Sequence, residues 1–152
     1  MTRNDKKLLL KVFSFVFEGF AFMFVEMEED LSAEGSKYNL KAGIEFKSRD
    51  NSGFLEIIAP ADFCVELAEN ILGTESGELP EGAGENALKE VLNVSCGCLL
   101  AEKFGTRQTF DLSIPEISPV SAELWNRSLA GQDHAFFSVD ESPMLARLVL
   151  NA

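Results

Sequence analysis

Asn86, Glu90 and Asn93 sit in the run "GENALKEVLNVSCGCLLAEKFG", Gly84 to Gly105. Their spacing is four residues and then three. On a helix of 3.6 residues per turn, positions 86, 90, 93 and 97 fall within a narrow arc. Leu88, Val91, Leu92, Ser95 and Leu99 fall on the opposite side. The helix would therefore have an apolar back and a polar front, and Gly97 would leave that front low enough for another surface to approach closely. The row holds no nucleophile, no base and no metal-ligand set. A carboxamide can instead accept a hydrogen bond from a water and orient it without adding negative charge. Phosphoryl transfer needs little more than positioning and electrostatics, and a glutamine orients the attacking water in GTPases. A carboxylate beside it could grip a cation belonging to a partner. The plainer reading is a solvated helix face, on which Glu and Asn are common.

The rest of the chain must position that helix. Its 152 residues fit a single domain spanning 1–152, and an apolar fraction of 46% is enough for a core. The formal charge of −12 argues against unaided binding to nucleic acid or to an anionic membrane. The three cysteines, Cys64, Cys96 and Cys98, are an odd number and point to structural thiols in the reducing cytosol. Cys96 and Cys98 would project about 200° apart on a helix, so they cannot share a metal. One histidine, His134 beside Asp133, reads as an ordinary turn residue.

"LLLKVFSFVFEGFAFMFVEM", Leu8 to Met27, is apolar enough to suggest a membrane span. Lys11 and Glu18 interrupt it, and a span would carry Glu18 near the bilayer centre. A core helix from about Asp5 to Met27 is the expectation, with six phenylalanines from Phe13 to Phe24 covering a sheet face. The acidic stretch Glu26 to Asp30 would be a frayed, solvated exit or a dock for a basic partner. "LKAGIEFKSRDNSGFLEIIA" reads as two strands around a turn at Asp50 to Gly53. "PADFCVELAENILG" is a second helix, opened by Pro60 and stopped by Gly73. The helix bearing the polar row ends at Lys103 and Gly105. Beyond it, Phe110, Leu112 and Ile114 alternate as a strand would. "HAFFSV" and "MLARLVL" are two more strands, and "SAELWNRSLAGQD" is a short helix or an irregular loop. The order is helix, two strands, two helices and about three strands. It predicts an α/β (α+β) sandwich, with helices on one face of a mostly antiparallel sheet.

The spacing recurs. Ser14, Glu18 and Ala21 repeat the four-then-three pattern of the later helix, and strand-like runs follow each copy. A pseudo-symmetric internal duplication is expected, with a degenerate first copy that has alanine in place of the second amide.

These residues resemble the CheC/CheX/FliY chemotaxis phosphatases. That family's signature is an aspartate or serine, then Glu-x-x-Asn one turn on, then a proline some two dozen residues later. Asn86, Glu90, Asn93 and Pro115 match it, with Asn86 in place of aspartate or serine and Pro115 about one residue early. One intact motif and one degraded copy are closest to the single-site CheX branch. The resemblance implies a cytoplasmic, homodimeric phosphatase in two-component signalling, acting on a phosphorylated CheY-like response regulator. Asn93 would align the water, and Glu90 would pair with the regulator's lysine. Asn86, Gly97 and Pro115 would support them. No cofactor would sit in this chain, and Mg²⁺ would be held by the partner. The alternative is a non-catalytic module of the same fold that binds a receiver domain or another signalling partner.

Overall fold

The computed structural model describes residues 1–29, 39–75, 77–131 and 133–151. The chain opens with α1 (Arg3–Ala21). Thr2 caps it, its hydroxyl accepting from the Asp5 N–H at 3.1 Å. Leu9, Val12, Phe13, Val16, Phe17 and Ala21 form its buried stripe. The helix stops six residues before Met27, where the sequence pattern places its end. Phe22 adopts a left-handed conformation, φ 56°, and its N–H bonds to the carbonyls of Glu18 and Phe17. The chain then enters β1 (Val25–Glu28). Val25 and Met27 alternate there with Glu26 and Glu28, and that period of two suits a strand. The acidic stretch is therefore sheet over its first half, and Asp30 lies outside the described residues.

The six phenylalanines do not share a face. Residues two apart on a helix point about 200° from each other, so Phe13 and Phe17 are buried while Phe15 and Phe20 are exposed. Phe22 and Phe24, beyond the helix end, are exposed as well. Phe13 meets Phe137 edge to face at 5.3 Å. Among the described residues no helix is long and apolar enough to cross a membrane.

The expected hairpin is β2 (Asn39–Lys47) and β3 (Ser52–Pro60), in register from Asn39↔Pro60 to Lys47↔Ser52. Two helices follow, α2 (Ala61–Leu72) and α3 (Ala83–Phe104). Next come β4 (Asp111–Leu112) and β5 (Glu116–Val120), both pairing with β2. The predicted strand through Phe110, Leu112 and Ile114 is thus broken. Residues 113–115 leave the ladder, where the Ser113 N–H donates to the Glu45 carbonyl and the Ser113 hydroxyl accepts from the Glu45 N–H, both at 2.9 Å. Pro115 has no N–H with which to continue it. Leu112 and Ile114 face solvent.

The undecided segment is a helix, α4 (Ala122–Ala130), capped by Ser121. The chain ends in a second hairpin, β6 (Ala135–Val139) and β7 (Ser142–Asn151).

The sheet runs β1-β6-β7-β3-β2-β4, with β5 also on β2. Every pairing is antiparallel. This order carries the duplication. A half-turn between β3 and β7 exchanges α1, β1 and the β2–β3 hairpin for α3, β5 and the β6–β7 hairpin. Each half lends its first strand to the hairpin of the other half: β1 lies on β6, and β5 lies on β2. The helices α1, α2 and α3 share one continuous core with the sheet, as the sequence pattern predicts. α4 adds a small second cluster, in which Trp125 packs with Ile58, Val120 and Leu145.

Candidate functional site

The site is built on α3. A buried back of Ala83, Ala87, Leu88, Val91, Leu92, Ser95, Cys96, Leu99 and Leu100 fixes the helix against the sheet and its neighbours. Gly84 lets α2 come close, because a Cβ there would stand 3.3 Å from the Cys64 and Val65 backbone. Two ion pairs tie α3 to α1: Lys103 to Asp5 at 2.8 Å and Lys11 to Glu102 at 2.9 Å. Together these contacts hold the opposite face of α3 rigidly toward solvent.

On that face Asn86, Glu90, Asn93 and Gly97 are all exposed. Neither the Glu90 nor the Asn93 side chain is tied down by a hydrogen bond or ion pair among the described residues. A Cβ built on Gly97 would meet nothing within 4 Å, so the row ends in open space.

One end of the row opens into a groove between α2 and α3, lined by Ala68, Ile71, Leu72, Pro80, Ala83 and Ala87 and by Asn86 and Glu90 themselves. Its volume is about 350 Å³. Sequence reasoning misses this groove. The signal was available in the small residues Ala83 and Ala87 and in the proline of the α2–α3 connection.

The other predicted residues fall elsewhere. Pro115 stands half-buried at the break between β4 and β5 and does not line the groove. In the first copy, Ser14 is half-buried and Glu18 is exposed, but Ala21 is fully buried. The Ala21 carbonyl accepts from Asn70 Nδ2 at 2.9 Å. The position that answers to Asn93 in the repeat thus faces inward at the last turn of its helix.

Cys64 and Cys96 are buried free thiols. Burial pushes both up to about 12, with Asp62 and Glu85 adding to the effect at Cys64. His134, before β6, is held below its ordinary value, first by burial and then by the Arg147 guanidinium. Among the described residues no cluster of His, Cys, Asp or Glu could hold a metal.

Chemically, the α3 face offers an amide that can orient a small polar molecule and a carboxylate that can pair with a cation. The row of Asn86, Glu90, Asn93 and Gly97 contains no hydroxyl or thiol.

No protein-family model and no curated protein matches the chain. Solved structures do. The chain is similar to the chemotaxis protein CheX from Vibrio vulnificus, at 14% identity, with 95% of each chain covered and a TM-score of 0.69. It is similar to a CheC-like superfamily protein from a Shewanella species, at 17% identity, with both chains fully covered and a TM-score of 0.65. It is also similar to a chain from the CheX–CheY–BeF3–Mg²⁺ complex of Borrelia burgdorferi, at 12% identity, with 96% and 97% covered and a TM-score of 0.61. The resemblance read from the motif therefore holds at the level of the fold: the chain has the CheC/CheX architecture over its whole length.

Proposed function

We propose that this chain is a CheX-type phosphatase that hydrolyses the aspartyl phosphate of a CheY-like response regulator. One observation carries the reading. Glu90 and Asn93 stand exposed and untethered, three residues apart, on a helix whose other side is clamped into the core. A complex of CheX with CheY is among the structures that share the fold.

In this reading the regulator presents its phosphorylated aspartate to the α3 face. The regulator's own carboxylates would hold Mg²⁺, whose charge would offset that of the phosphoryl oxygens. Glu90 pairs with the regulator's lysine and sets the docking register. The Asn93 carboxamide reaches the phosphorylation site and accepts a hydrogen bond from a water, aligning its oxygen with phosphorus. The P–O bond to the aspartate breaks as the water oxygen bonds to phosphorus, giving inorganic phosphate and a free carboxylate. An acyl phosphate is already labile, so no covalent intermediate on this chain is needed. Asn86, one turn before Glu90, supports the site from the same exposed face. Gly97 lets the regulator's surface sit close, and Pro115 acts only through the fold at the β4–β5 break. The chain works in the cytoplasm and as a homodimer.

The test is the decay of a phosphorylated CheY-like receiver domain with the wild-type chain and with Asn93→Ala. Loss of one positioned polar group at a reacting centre costs on the order of a hundredfold in rate. Equal decay rates with the two proteins would sink the assignment. Asn86, at a position where the family signature has aspartate or serine, favours a second reading: a module that binds receivers without hydrolysing them. Phospho-dependent affinity with no acceleration of decay would select that reading.

A further inference from the structure

The junction between α1 and β1 has two features that the α3 site does not use. The first is a pair of exposed rings. Phe22 is 79% exposed and Phe24 is 67% exposed. Phe22 also holds a φ of 56°, a left-handed conformation that glycine adopts without strain. A strained backbone that presents a bare aromatic ring is the reverse of what stability alone would favour.

The second is the side of β1 away from β6. The strand pairs with β6, and no described strand lies on its other side. It has no proline. The opposite edge of the sheet is interrupted by the β4–β5 break and carries Pro119 in β5. Proline and interruption are how edges are blunted against strand addition. Register places Val25 and Met27 beside Val139 and Phe137, which are buried. Glu26 and Glu28 therefore lie on the other face of the sheet, beside Ser138 and Phe136.

We propose that β1 is a docking edge for an extended segment of another protein, basic at alternate residues, which adds to the sheet and seats an apolar side chain against Phe22 and Phe24. Residues directly opposite across a pair of strands share a face. An incoming strand therefore meets Glu26 and Glu28 with one set of alternate side chains and Val25 and Met27 with the other. Lysine or arginine in the first set and apolar residues in the second satisfy both. A second copy of this chain fits poorly. Of the antiparallel pairings of two β1 edges that keep both helix layers on one side, those that overlap more than one residue of β1 set a glutamate opposite a glutamate, and like charges there are destabilising. The net charge of −12 also repels anionic lipid. This proposal is independent of the phosphatase reading.

The test uses the isotopically labelled full chain and a synthetic peptide of about ten residues, alternating lysine and valine with one phenylalanine. The control peptide has the same composition with its lysines in one block. The expected result is amide shift changes centred on 24–28 and 135–139, with the control peptide binding about tenfold more weakly or worse. Phe22→Gly should keep or raise the melting temperature while weakening binding by about tenfold, and Glu26→Lys should weaken it comparably. Shift changes spread over other acidic surfaces, or equal affinities for the two peptides or for Phe22→Gly, overturn the proposal. So does a wild-type dimer that Glu26→Pro splits into monomers, which would put a second copy on the edge. Binding to vesicles of equal parts phosphatidylcholine and phosphatidylglycerol that Phe22→Gly abolishes would assign the rings to a membrane and likewise overturn it.

Discussion

A carboxamide three residues from a carboxylate gains meaning only from where its helix points. Asn93 faces solvent, and its counterpart in the first copy, Ala21, is fully buried. The same spacing in two helices thus gives one accessible row and one that is closed. Gly97 tests whether the row is a contact surface at all. Glycine inside a helix costs roughly 0.5–1 kcal/mol relative to alanine, and a methyl group at 97 has open space around it. Gly97→Ala should therefore raise stability to denaturant by up to about 1 kcal/mol. If a regulator docks against this face, the same change should weaken its binding or slow its dephosphorylation. A stabilised protein with unaltered turnover would show that nothing approaches closely there. The motif itself was legible because helical geometry fixes which residues align. The groove beside it was not, because it needs α2, and no periodicity within α3 reveals which helix will lie against it.

At the scale of elements, most of the order was readable, since turn residues and period-two or period-3.6 patterns are local. Two boundaries misled for physical reasons. The apolar run to Met27 reads as helix, yet Phe22 takes a left-handed turn and the remainder pairs with β6, a partner more than a hundred residues away. Similarly, the alternation through Ile114 is broken at Pro115. Packing between elements leaves its own test. Asp5 caps the contact of α1 with α3. Burial acts to raise its carboxyl, but the bonds from Lys103 and Thr2 outweigh that and hold it below its ordinary value of 3.8. A depressed folded value means that this group stabilises the fold above the unfolded value and that the gain is lost as pH falls through the folded one. Asp5→Asn should therefore cost up to about 1 kcal/mol at neutral pH, the pair being partly open to solvent. The deficit should vanish in acid below the folded value, as read by denaturant titration across pH 2–7. The α4 cap offers a larger effect. Trp125 is fully buried, so Trp125→Ala should cost about 3–5 kcal/mol while leaving the distant α3 row able to act in whatever fraction stays folded.

For the whole molecule, the exchange of first strands between halves is the controlling fact. The β2–β3 hairpin is completed by β5 from the second half, and the β6–β7 hairpin by β1 from the first. α1 packs on α3 through Asp5–Lys103 and Lys11–Glu102. Neither half can satisfy its own sheet edge or cover its own helix stripe, although each carries the elements of a repeat. In the first half the position that answers to Asn93 is the buried Ala21, and in the second it is the exposed Asn93. The polar α2–α3 connector lets the strand exchange be tested directly. A chain cut there into its N- and C-terminal halves should give two fragments that each lack a cooperative thermal transition. Mixed in equal amounts, they should recover the native circular dichroism and a single transition whose midpoint rises with concentration. If either fragment melts cooperatively on its own as a monomer, the strand exchange does not govern folding. If the mixture recovers native structure and the chain acts on a regulator as proposed, adding Asn93→Ala to the C-terminal fragment alone should slow dephosphorylation on the order of a hundredfold, and Glu18→Ala at the exposed position of the other fragment should leave it intact.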